Sequence, residues 1–470
     1  MITNKTLTEW GFKPGVWFKI AVSAAINMRK DGASDEQIIK QLMKMTPPEA
    51  ISPPTIPLRP HSIPYWVFLE AVSELERENY DQVIAAMNEL MRVPTVVSGA
   101  IMPDACPAGI IPVGGVVATK NAIHPGFHSE DVCCSMMMTV FDREVEGKAM
   151  MDAAFEATHF GPGGRKEPIG MSDELVAAFR GNAFLSDLVE MGHSQMGTQG
   201  DGNHFLFAGW RGSDGLPAIV THHGSRGIGA ELYKKGMNVA KKWTKIHSPQ
   251  TPEKASWIVA DSPDGIEYWY ALQIVRNWTR QNHAVIHARI SNALGVGFID
   301  SLWNEHNFVF CKDDGLYYHA KGATPSFAGF SPDDTSGRCL IPMNMSEPIL
   351  IVGHANNADA LGFSPHGAGR NMSRTKHKAN LASGDSRGLS DRDAALVVDN
   401  EVGHLDIRPF SGVHDLSEMP SAYKSADKVR GAIKKFGLAS IIDEILPYGS
   451  IMAGEHGQFW RRKESAKRDG

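Results

Sequence analysis

The chain is organised around one stretch of sequence, Ser364-Pro365-His366-Gly367-Ala368-Gly369-Arg370-Asn371-Met372-Ser373-Arg374. Its histidine stands between a proline and small residues, with arginines four and eight positions further on. The small residues allow a bulky group to approach the backbone closely. The planar guanidinium groups suit a phosphate. The stretch therefore predicts a histidine beside a phosphate, acting as a base or as a nucleophile. The alternative is a glycine-rich turn that carries a surface histidine.

The bulk composition is that of an ordinary globular enzyme. The chain has 470 residues, a formal net charge of −6, 42% hydrophobic residues and 21% charged residues. This length suffices for one elaborated domain or for two. The negative net charge excludes a basic protein that coats nucleic acid, so any nucleic-acid contact must come from local arginine and lysine clusters.

Cysteine and histidine usage indicates a reducing compartment and metal binding. The five cysteines are too few for a disulfide scaffold in a chain of this length, and 19 histidines accompany them. Residues 1–13 have no apolar run behind a basic start, and no run of about 18 apolar residues occurs in the chain. We therefore predict a cytoplasmic protein without a signal peptide or a membrane span.

The pattern of helices and strands changes at residue 93. Residues 1–92 predict a helical extension, with a linker of seven prolines between Pro47 and Pro64 and a helix from about 66 to 92. Residues 93–458 mix short buried strands with helices, without a regular βαβ alternation, and residues 459–470 form a basic tail. The expected strands lie near 93–98, 114–119, 136–141, 204–208, 218–222, 307–311 and 348–353, and the expected helices near 148–158, 172–190, 227–246, 265–294, 390–397 and 424–445. These patterns predict an irregular α+β domain with a mixed sheet and surrounding helices, not a Rossmann sheet or a barrel.

The first candidate metal ligands lie in Asp131-Val132-Cys133-Cys134, which places a carboxylate and a thiol three positions apart at a tight turn. A thiolate beside a carboxylate suits Mn(II), Zn(II) or Fe(II) better than Mg(II). The alternative is that Cys134 is a small buried hydrophobe.

Three further motifs each place a histidine at the end of a predicted strand. They are Gly197-Thr-Gln-Gly-Asp-Gly-Asn203-His204-Phe205, Thr221-His222-His223-Gly-Ser-Arg226-Gly227 and Glu305-His306-Asn307. Glycine-rich backbone can present N–H groups to an anion, Asn203 can hydrogen-bond a phosphate oxygen, and Arg226 adds a phosphate fork. For any one histidine, the alternative is a satisfied polar residue at a strand end. Together with the Asp-x-x-Cys motif, these histidines favour a metal site.

Three other polar groups have weaker patterns. Asp104 in Met102-Pro103-Asp104 is a turn residue or a partner for a histidine. Lys321, before a glycine, is a flexible cation or an ordinary solvated lysine. Asn282-His283 falls inside the long helix predicted from about 265, and we interpret it as helix surface without chemistry.

In their order along the chain, these motifs resemble those of the RtcB family of tRNA-splicing and RNA-repair ligases. The resemblance covers residues 93–455, and its most specific part is His366-Gly-Ala-Gly-Arg-x-Met-Ser-Arg374. It implies an α+β fold of the family's own and an enzyme that joins RNA 3′-phosphate or 2′,3′-cyclic phosphate ends to 5′-hydroxyl ends. It also implies GTP and two Mn(II) ions as cofactors, and it leaves open whether an activating protein is needed.

The resemblance also implies roles for individual residues. Asp131, Cys134 and His204 would bind one Mn(II), and Cys134 would bridge to a second that His222 and His306 complete. His366 would become guanylylated, with Asp104 orienting its imidazole. The residues expected at the nucleotide are Asn203, Asn307, Ala368, Gly369 and Tyr423, and those expected at phosphates of RNA or nucleotide are Arg226, Lys321, Arg370 and Arg374.

Several positions depart from the family pattern where the base would bind. Phe207 stands in place of a glutamate and Ala453-Gly454 in place of a Lys-Gly pair, both of which hold guanine in the family. Other departures are Ile341-Pro-Met-Asn-Met-Ser346, Ala320 before Lys321, and Ala105-Cys106 after Asp104. A site that loses polar partners for a base should lose discrimination for it, so our hypothesis is that nucleotidyl transfer survives without strict guanine selection. Two alternatives are a nucleotidyltransferase that activates or caps RNA 3′-phosphate ends with relaxed base choice, and a non-catalytic metal- and RNA-binding relative of the ligases.

Overall fold

The computed structural model describes residues 2–14, 17–46, 55–71, 73–332, 334, 336–382 and 389–455. Contacts divide the chain into two compact units, Met1–Thr55 and Ile56–Gly470. Residues 56–92, which the sequence pattern grouped with the N-terminal extension, therefore belong to the larger unit. Residues 47–54 of the proline-rich linker and the basic tail 459–470 lie outside the described residues.

The smaller unit is a set of short helices around its own core. Its helices are α1 Asn4–Glu9, α2 Phe18–Lys30 and α3 Asp35–Met45. Ser34 begins α3 by accepting a hydrogen bond from the backbone N–H of Gln37, whose side chain accepts one from the Ser34 N–H. Leu7, Phe18, Ile38 and Leu42 are buried between these helices. The helical pattern expected near the N-terminus is thus present.

The larger unit combines helices with mixed sheets. Its helices are α4 Glu74–Leu90, α5 Pro125–His128, α6 Gly147–Ala157, α7 Asp173–Gly181, α8 Val189–Gln195, α9 Arg226–His247, α10 Pro263–Leu294, α11 Arg374–Leu381, α12 Asp391–Val402 and α13 Ala426–Lys435. Its strands are β1 Trp66–Val67, β2 Val96–Cys106, β3 Val113–Lys120, β4 Ala122–Ile123, β5 Ser135–Phe141, β6 Phe205–Arg211, β7 Pro217–His223, β8 Ile258–Val259, β9 Phe298–Glu305, β10 Asn307–Cys311, β11 Leu316–Lys321, β12 Ala323–Pro325, β13 Arg338–Ile341, β14 Ile349–His354, β15 Phe363–Pro365, β16 Asp406–Pro409 and β17 Ala439–Met452. No helix among the described residues is both long and apolar enough to cross a bilayer.

The strands form two large sheets that converge on one region. The order of the larger sheet is β13-β14-β17-β6-β7-β5-β9, with β16 paired in parallel to β17. The other has the order β1-β2-β3-β11-β10, and two small ladders pair β12 with β15 and β4 with β8. Because strands that are distant in sequence lie side by side, the sheets lack a βαβ rhythm. The predicted α+β class is confirmed.

The structure corrects three helix predictions. The helix expected over 172–190 is interrupted, because α7 ends at Gly181 and α8 begins only at Val189. The helix expected over 66–92 begins only at Glu74, because Ser73 forms a capping box with Glu76, and Trp66–Val67 is a strand. The helix expected over 424–445 ends at Lys435. Gly437 then adopts a φ of +59°, which reverses the chain direction, and the β-branched Ile441 and Ile442 lie in β17.

Candidate active site

Sheet pairing brings the predicted metal ligands together. Strand β5, which directly follows Cys134, pairs with both β7 and β9, so Met136 lies opposite His222 and Ser135 lies opposite Glu305. Strand β6 adds the neighbouring segment, because Phe205 pairs with His222. The backbone N–H of His306 donates to the Cys134 carbonyl at 2.9 Å. The ends of four strands therefore meet at one point.

Five side chains form two overlapping clusters at this point. One contains Asp131, Cys134 and His204, and the other contains Cys134, His222 and His306. Cys134 Sγ lies 3.1 Å from His222 Nε2 and 3.7 Å from His204 Nε2. His222 Nε2 lies 3.2 Å from His306 Nε2, and His204 Nε2 lies 3.4 Å from Asp131 Oδ2.

These donor atoms fit divalent cations. Metal bonds of about 2.0–2.3 Å place tetrahedral ligand atoms roughly 3.3–3.7 Å apart, close to the separations found here. Burial raises the pKa of the Cys134 thiol well above its usual value and lowers the pKa of His222 to about 3. Without a cation the thiol therefore keeps its proton, whereas a bound cation would displace that proton and accept the imidazole lone pairs.

Backbone carbonyls orient two of these imidazoles. His204 Nδ1 bonds to the Gln199 carbonyl at 2.6 Å, and His222 Nδ1 bonds to the Asn203 carbonyl at 3.2 Å. A carbonyl only accepts, so Nδ1 carries the proton in both rings and Nε2 presents its lone pair to the cluster. The loop before β6 thus sets the tautomers of ligands on two strands.

A buried ion pair lies behind the cluster. Arg276 of α10 pairs with Glu305, the residue before His306, and both are buried. The Arg276 guanidinium also lies over the Phe308 ring, 5.0 Å from its centroid. Burial raises the pKa of Glu305, and the charge of Arg276 opposes that rise. This pair fixes the segment between β9 and β10 from the core side.

His366 lies next to the cluster and is held by Asp104. Asp104 Oδ2 accepts hydrogen bonds from His366 Nδ1 at 2.6 Å, from the His366 backbone N–H at 3.1 Å and from the Gly367 N–H at 3.3 Å. The His366 ring centroid is 5.1 Å from that of His306. Because Nδ1 is committed to Asp104 and Nε2 has no hydrogen-bond partner among the described residues, Nε2 is the atom available for reaction. A glycine is required at 369, where φ is +71° and a Cβ would lie 2.0 Å from the Asp104 carbonyl oxygen.

A cavity of about 170 Å³ adjoins His366. Its lining includes Asn203 and His222 on the cluster side and Ala368, Gly369, Arg370 and Tyr423 around the His366 loop. The remaining wall is largely apolar and includes Phe205, Phe207, Met343, Met345, Ile349 and Met452. Phe207 is buried, so the position expected to carry a base-binding carboxylate in the family is an aromatic surface here.

The four predicted phosphate-binding cations contact the chain itself. Arg226 donates from Nε to Thr198 Oγ1 at 3.0 Å and from Nη2 to the Gly161 carbonyl at 2.8 Å. Lys321 Nζ donates to the carbonyls of Ala108 at 3.0 Å and Ile111 at 3.2 Å. Arg226 thus holds the loop that precedes His204, and Lys321 holds the loop between β2 and β3.

The two arginines of the His366 stretch share one buried carboxylate. Arg370 Nη1 lies 3.3 Å and Arg374 Nε 2.6 Å from the Glu418 carboxylate, which also accepts a bond from the Tyr423 hydroxyl. Arg370 donates further to the Ser417 carbonyl, whereas the Arg374 side chain stays 49% exposed. Of the four cations, Arg374 has the largest access to a ligand at the pocket. The phosphate roles of all four remain predictions.

Four of the five residues predicted to contact the nucleotide lie at the cavity, and the fifth has another contact. Asn203, Ala368, Gly369 and Tyr423 line the cavity. Asn307 instead uses its side-chain oxygen to accept a hydrogen bond from the Gly322 N–H at 2.7 Å. That bond stabilises the turn between β11 and β12, beside His366.

Sequence reasoning missed four residues. Glu418 carried no motif signal. Lys424 carried no motif signal either, although it is buried against the Asp104 strand. The interpretation of Asn282-His283 as helix surface is wrong: both are fully buried. The available signal was the composition of this 32-residue helix, whose apolar residues are not confined to one face. Such a helix is covered on more than one side, so polar residues within it can be buried.

Asn282 anchors the loop that precedes His204. Its Oδ1 accepts hydrogen bonds from the backbone N–H groups of Gly197 at 2.6 Å and Thr198 at 3.3 Å. Its Nδ2 donates to the Thr198 carbonyl at 2.8 Å. The next carbonyl along the chain, that of Gln199, orients His204. Helix α10 therefore determines the position of this candidate ligand.

Comparison with known proteins gives one consistent family. A family model described as tRNA-splicing ligase RtcB matches residues 171–453. The tRNA-splicing ligase RtcB of Archaeoglobus fulgidus is 23% identical over 461 residues, covering 82% of this chain and 93% of that protein. The tRNA-splicing ligase RtcB of Thermococcus kodakarensis is also 23% identical, covering 80% and 92%. The RNA-splicing ligase RtcB2 of Escherichia coli is 24% identical over 367 residues, covering 74% and 85%.

Proposed function

The chain belongs to the RtcB family, and from this membership we propose that it is a Mn(II)-dependent RNA ligase that works through a His366–nucleotide intermediate formed from GTP. Its substrates would be RNA ends with a 3′-phosphate or a 2′,3′-cyclic phosphate and ends with a 5′-hydroxyl. One observation carries the proposal. His366, with Nδ1 committed to Asp104 and Nε2 unshared, lies beside a cluster of sulfur, nitrogen and carboxylate donors and opens onto a cavity.

The first step uses the unshared nitrogen of His366. The Nε2 lone pair attacks the α-phosphorus of the nucleotide, a P–N bond forms, and the bond to pyrophosphate breaks. The imidazole gains positive character as the bond forms, and the Asp104 carboxylate at 2.6 Å from Nδ1 stabilises it. One oxygen of Asp104 accepts hydrogen bonds from three N–H groups, so the His366 ring and the loop that carries it are oriented together.

Two Mn(II) ions would be held by Asp131, Cys134 and His204 and by Cys134, His222 and His306. When bound, they would supply positive charge that offsets the negative charge of the transferring phosphoryl group. Gln199 and Asn203 contribute by keeping the Nε2 atoms of His204 and His222 unprotonated.

Sealing then follows from two displacements. An oxygen of the RNA 3′-phosphate attacks the phosphorus on His366, so the P–N bond breaks and the histidine is regenerated. The RNA 5′-hydroxyl next attacks the activated 3′-phosphate, forms the phosphodiester and releases the nucleoside monophosphate. A 2′,3′-cyclic phosphate must first be opened by water. The half-exposed Arg374 is the side chain we assign to the incoming RNA phosphates.

The base pocket supports nucleotide binding with relaxed base choice. Phe207 and the buried Ala453 offer no hydrogen bonds to a guanine edge, and Tyr423 can stack on any base. The surrounding methionine and aromatic side chains favour stacking and burial of a base over hydrogen bonding to its polar edge. We therefore propose GTP as one usable nucleotide, not as the exclusive one.

The test is covalent labelling. The protein is incubated in Mn(II) with α-labelled GTP or, in parallel, α-labelled ATP, and then resolved on a denaturing gel. The matched control is His247→Ala, which removes a histidine that stacks on Trp243 at the far end of α9. The wild type and His247→Ala should carry an acid-labile, alkali-stable label, as a P–N bond requires, and His366→Ala should carry none. Absence of label with both nucleotides, despite bound Mn(II), would refute the proposal.

A further inference from the structure

Lys424 is a buried cation on the strand that carries Asp104. The residue is 8% exposed, and its Nζ donates hydrogen bonds to the carbonyls of Ala105 at 2.7 Å and Pro103 at 3.1 Å. These two carbonyls flank Asp104 on either side. Burying an ammonium group is costly, so a lysine kept at this position must be offset by a nearby negative charge.

Asp104 supplies such a charge. It is fully buried, its Oδ2 bonds to the His366 segment, and Oδ1 has no hydrogen-bond partner among the described residues. A buried carboxylate with one unpaired oxygen needs positive potential from its surroundings. Burial lowers the pKa of Lys424, and the negative charge of Asp104 is the largest influence that raises it. Lys424 Nζ, bound to the carbonyls on either side of Asp104, is thus a cation placed to offset this charge.

The backbone of Lys424 contacts the loop that carries His366, the partner of Asp104. Its N–H donates to the Gly369 carbonyl at 2.9 Å, three residues beyond His366. Tyr423, the preceding residue, forms a bridge with Arg370 of the same loop. One residue therefore binds β2 through its side chain and the His366 loop through its main chain.

We propose that Lys424 is a positioning residue for the His366 nucleophile, holding Asp104 in place from behind and balancing its charge. This inference rests on the proposed nucleotidyl transfer. Lys424 does not line the cavity beside His366, so it acts through Asp104 and not on the nucleotide.

A second cavity makes the role testable by chemical rescue. This cavity, of about 380 Å³, lies on the other side of β2 and is lined by Lys424, Pro103, Phe68 and Val429 among others. A small alkylammonium ion can therefore reach the space that Lys424→Ala would vacate. The matched control is Lys428→Ala, which removes a lysine of the same cavity whose side chain is 55% exposed and pairs with Glu76.

The experiment measures the single-turnover rate of nucleotide labelling and the Kd of the nucleotide in the full-length protein. Lys424→Ala should lose about 100-fold in labelling rate, the size of effect expected when a nucleophile is displaced by roughly 1 Å. The Kd should stay unchanged, and Lys428→Ala should behave as wild type. Methylammonium or ethylammonium should restore part of the Lys424→Ala rate, whereas tetramethylammonium, which has no N–H donor, should not.

Two further variants guard against a folding defect. Lys424→Arg keeps the charge and donors and should retain more activity than Lys424→Gln, which keeps a donor without charge. The inference is overturned if Lys424→Ala or Lys424→Gln labels at the wild-type rate, or if the loss in folded Lys424→Ala is insensitive to every ammonium ion. Failure of the wild type to label would instead refute the proposed function, and the positioning role would fall with it.

Discussion

Replacing Asn282 by alanine should detach the loop that orients His204. The change leaves three buried backbone groups without partners: the N–H groups of Gly197 and Thr198 and the Thr198 carbonyl. Each buried group left unpaired costs about 1–3 kcal/mol. With partial relaxation, roughly 3–5 kcal/mol would favour movement of the loop out of its present position. That cost is a large share of a typical folding free energy of about 5–15 kcal/mol.

The consequence should be measurable as metal affinity. When the loop moves, the Gln199 carbonyl no longer holds the Nδ1–H of His204, and loss of such an outer contact typically weakens metal binding about 10–100-fold. Free Mn(II), measured by its paramagnetic resonance signal during a titration, reports the affinity directly. We expect the larger loss at the site that contains His204, and a smaller loss at the other, because the same loop carries Asn203, whose carbonyl orients His222.

Two variants bracket the effect. Asn277→Ala removes an exposed asparagine from the same helix and should bind Mn(II) as the wild type does. Asn282→Asp keeps the oxygen that accepts from Gly197 and Thr198 but loses the donor to the Thr198 carbonyl, so it should fall between the two. A folded Asn282→Ala protein that binds two Mn(II) ions with wild-type affinity would refute the reasoning.

Three other predictions follow from the same structure. Phe207→Glu should raise the ratio of GTP to ATP labelling by about tenfold, because one hydrogen bond to a charged group contributes a free energy of about that size. An unchanged ratio would mean that the base does not bind beside residue 207. Glu305→Gln leaves Arg276 buried without its charge partner, so the free energy of unfolding measured in urea should fall by about 3–5 kcal/mol. Little change in that free energy would show that the pair is dispensable. Burial lowers the pKa of His124 to about 3, so the folded state binds fewer protons than the unfolded state, and stability should fall as the pH drops from about 6.5 towards 3. The loss from His124 should reach about 2 kcal/mol by pH 5, and His124→Gln should flatten the pH dependence of unfolding accordingly.

Much of the site could be predicted because its chemistry is local in sequence. Apolar runs such as Phe308-Val309-Phe310 are distinct enough that the strand ends expected at 307 and 311 are found at Asn307 and Cys311. Histidines placed at such ends are candidates for a shared site wherever the strands are neighbours. The pairing order, with β5 between β7 and β9, was not available from periodicity, because hydrophobic alternation gives no information about which strands lie together.

The remaining features depend on tertiary contacts. Residues 424–445 have helix-like composition, yet pairing with β14 and β6 holds Ala439–Met452 as a strand, because burial in a sheet outweighs propensity. The roles of Arg226 and Lys321 could not be judged from sequence either, since the carbonyls they contact lie far away along the chain. The same holds for Asn282, whose partners are some 85 residues away.

The position of β17 has a consequence for how the protein is made. Its first half pairs with β14 and its second half lies between β6 and β16, and Ser450 and Met452 form part of the cavity wall. Every strand that it joins leaves the ribosome earlier, and its pairing with β6 closes a loop of more than 200 residues, a slow event in folding. A nascent chain that has not reached residue 439 already contains all five candidate ligands and His366 but lacks one side of the pocket. Translation order thereby allows the ligand cluster to assemble before a nucleotide can be enclosed.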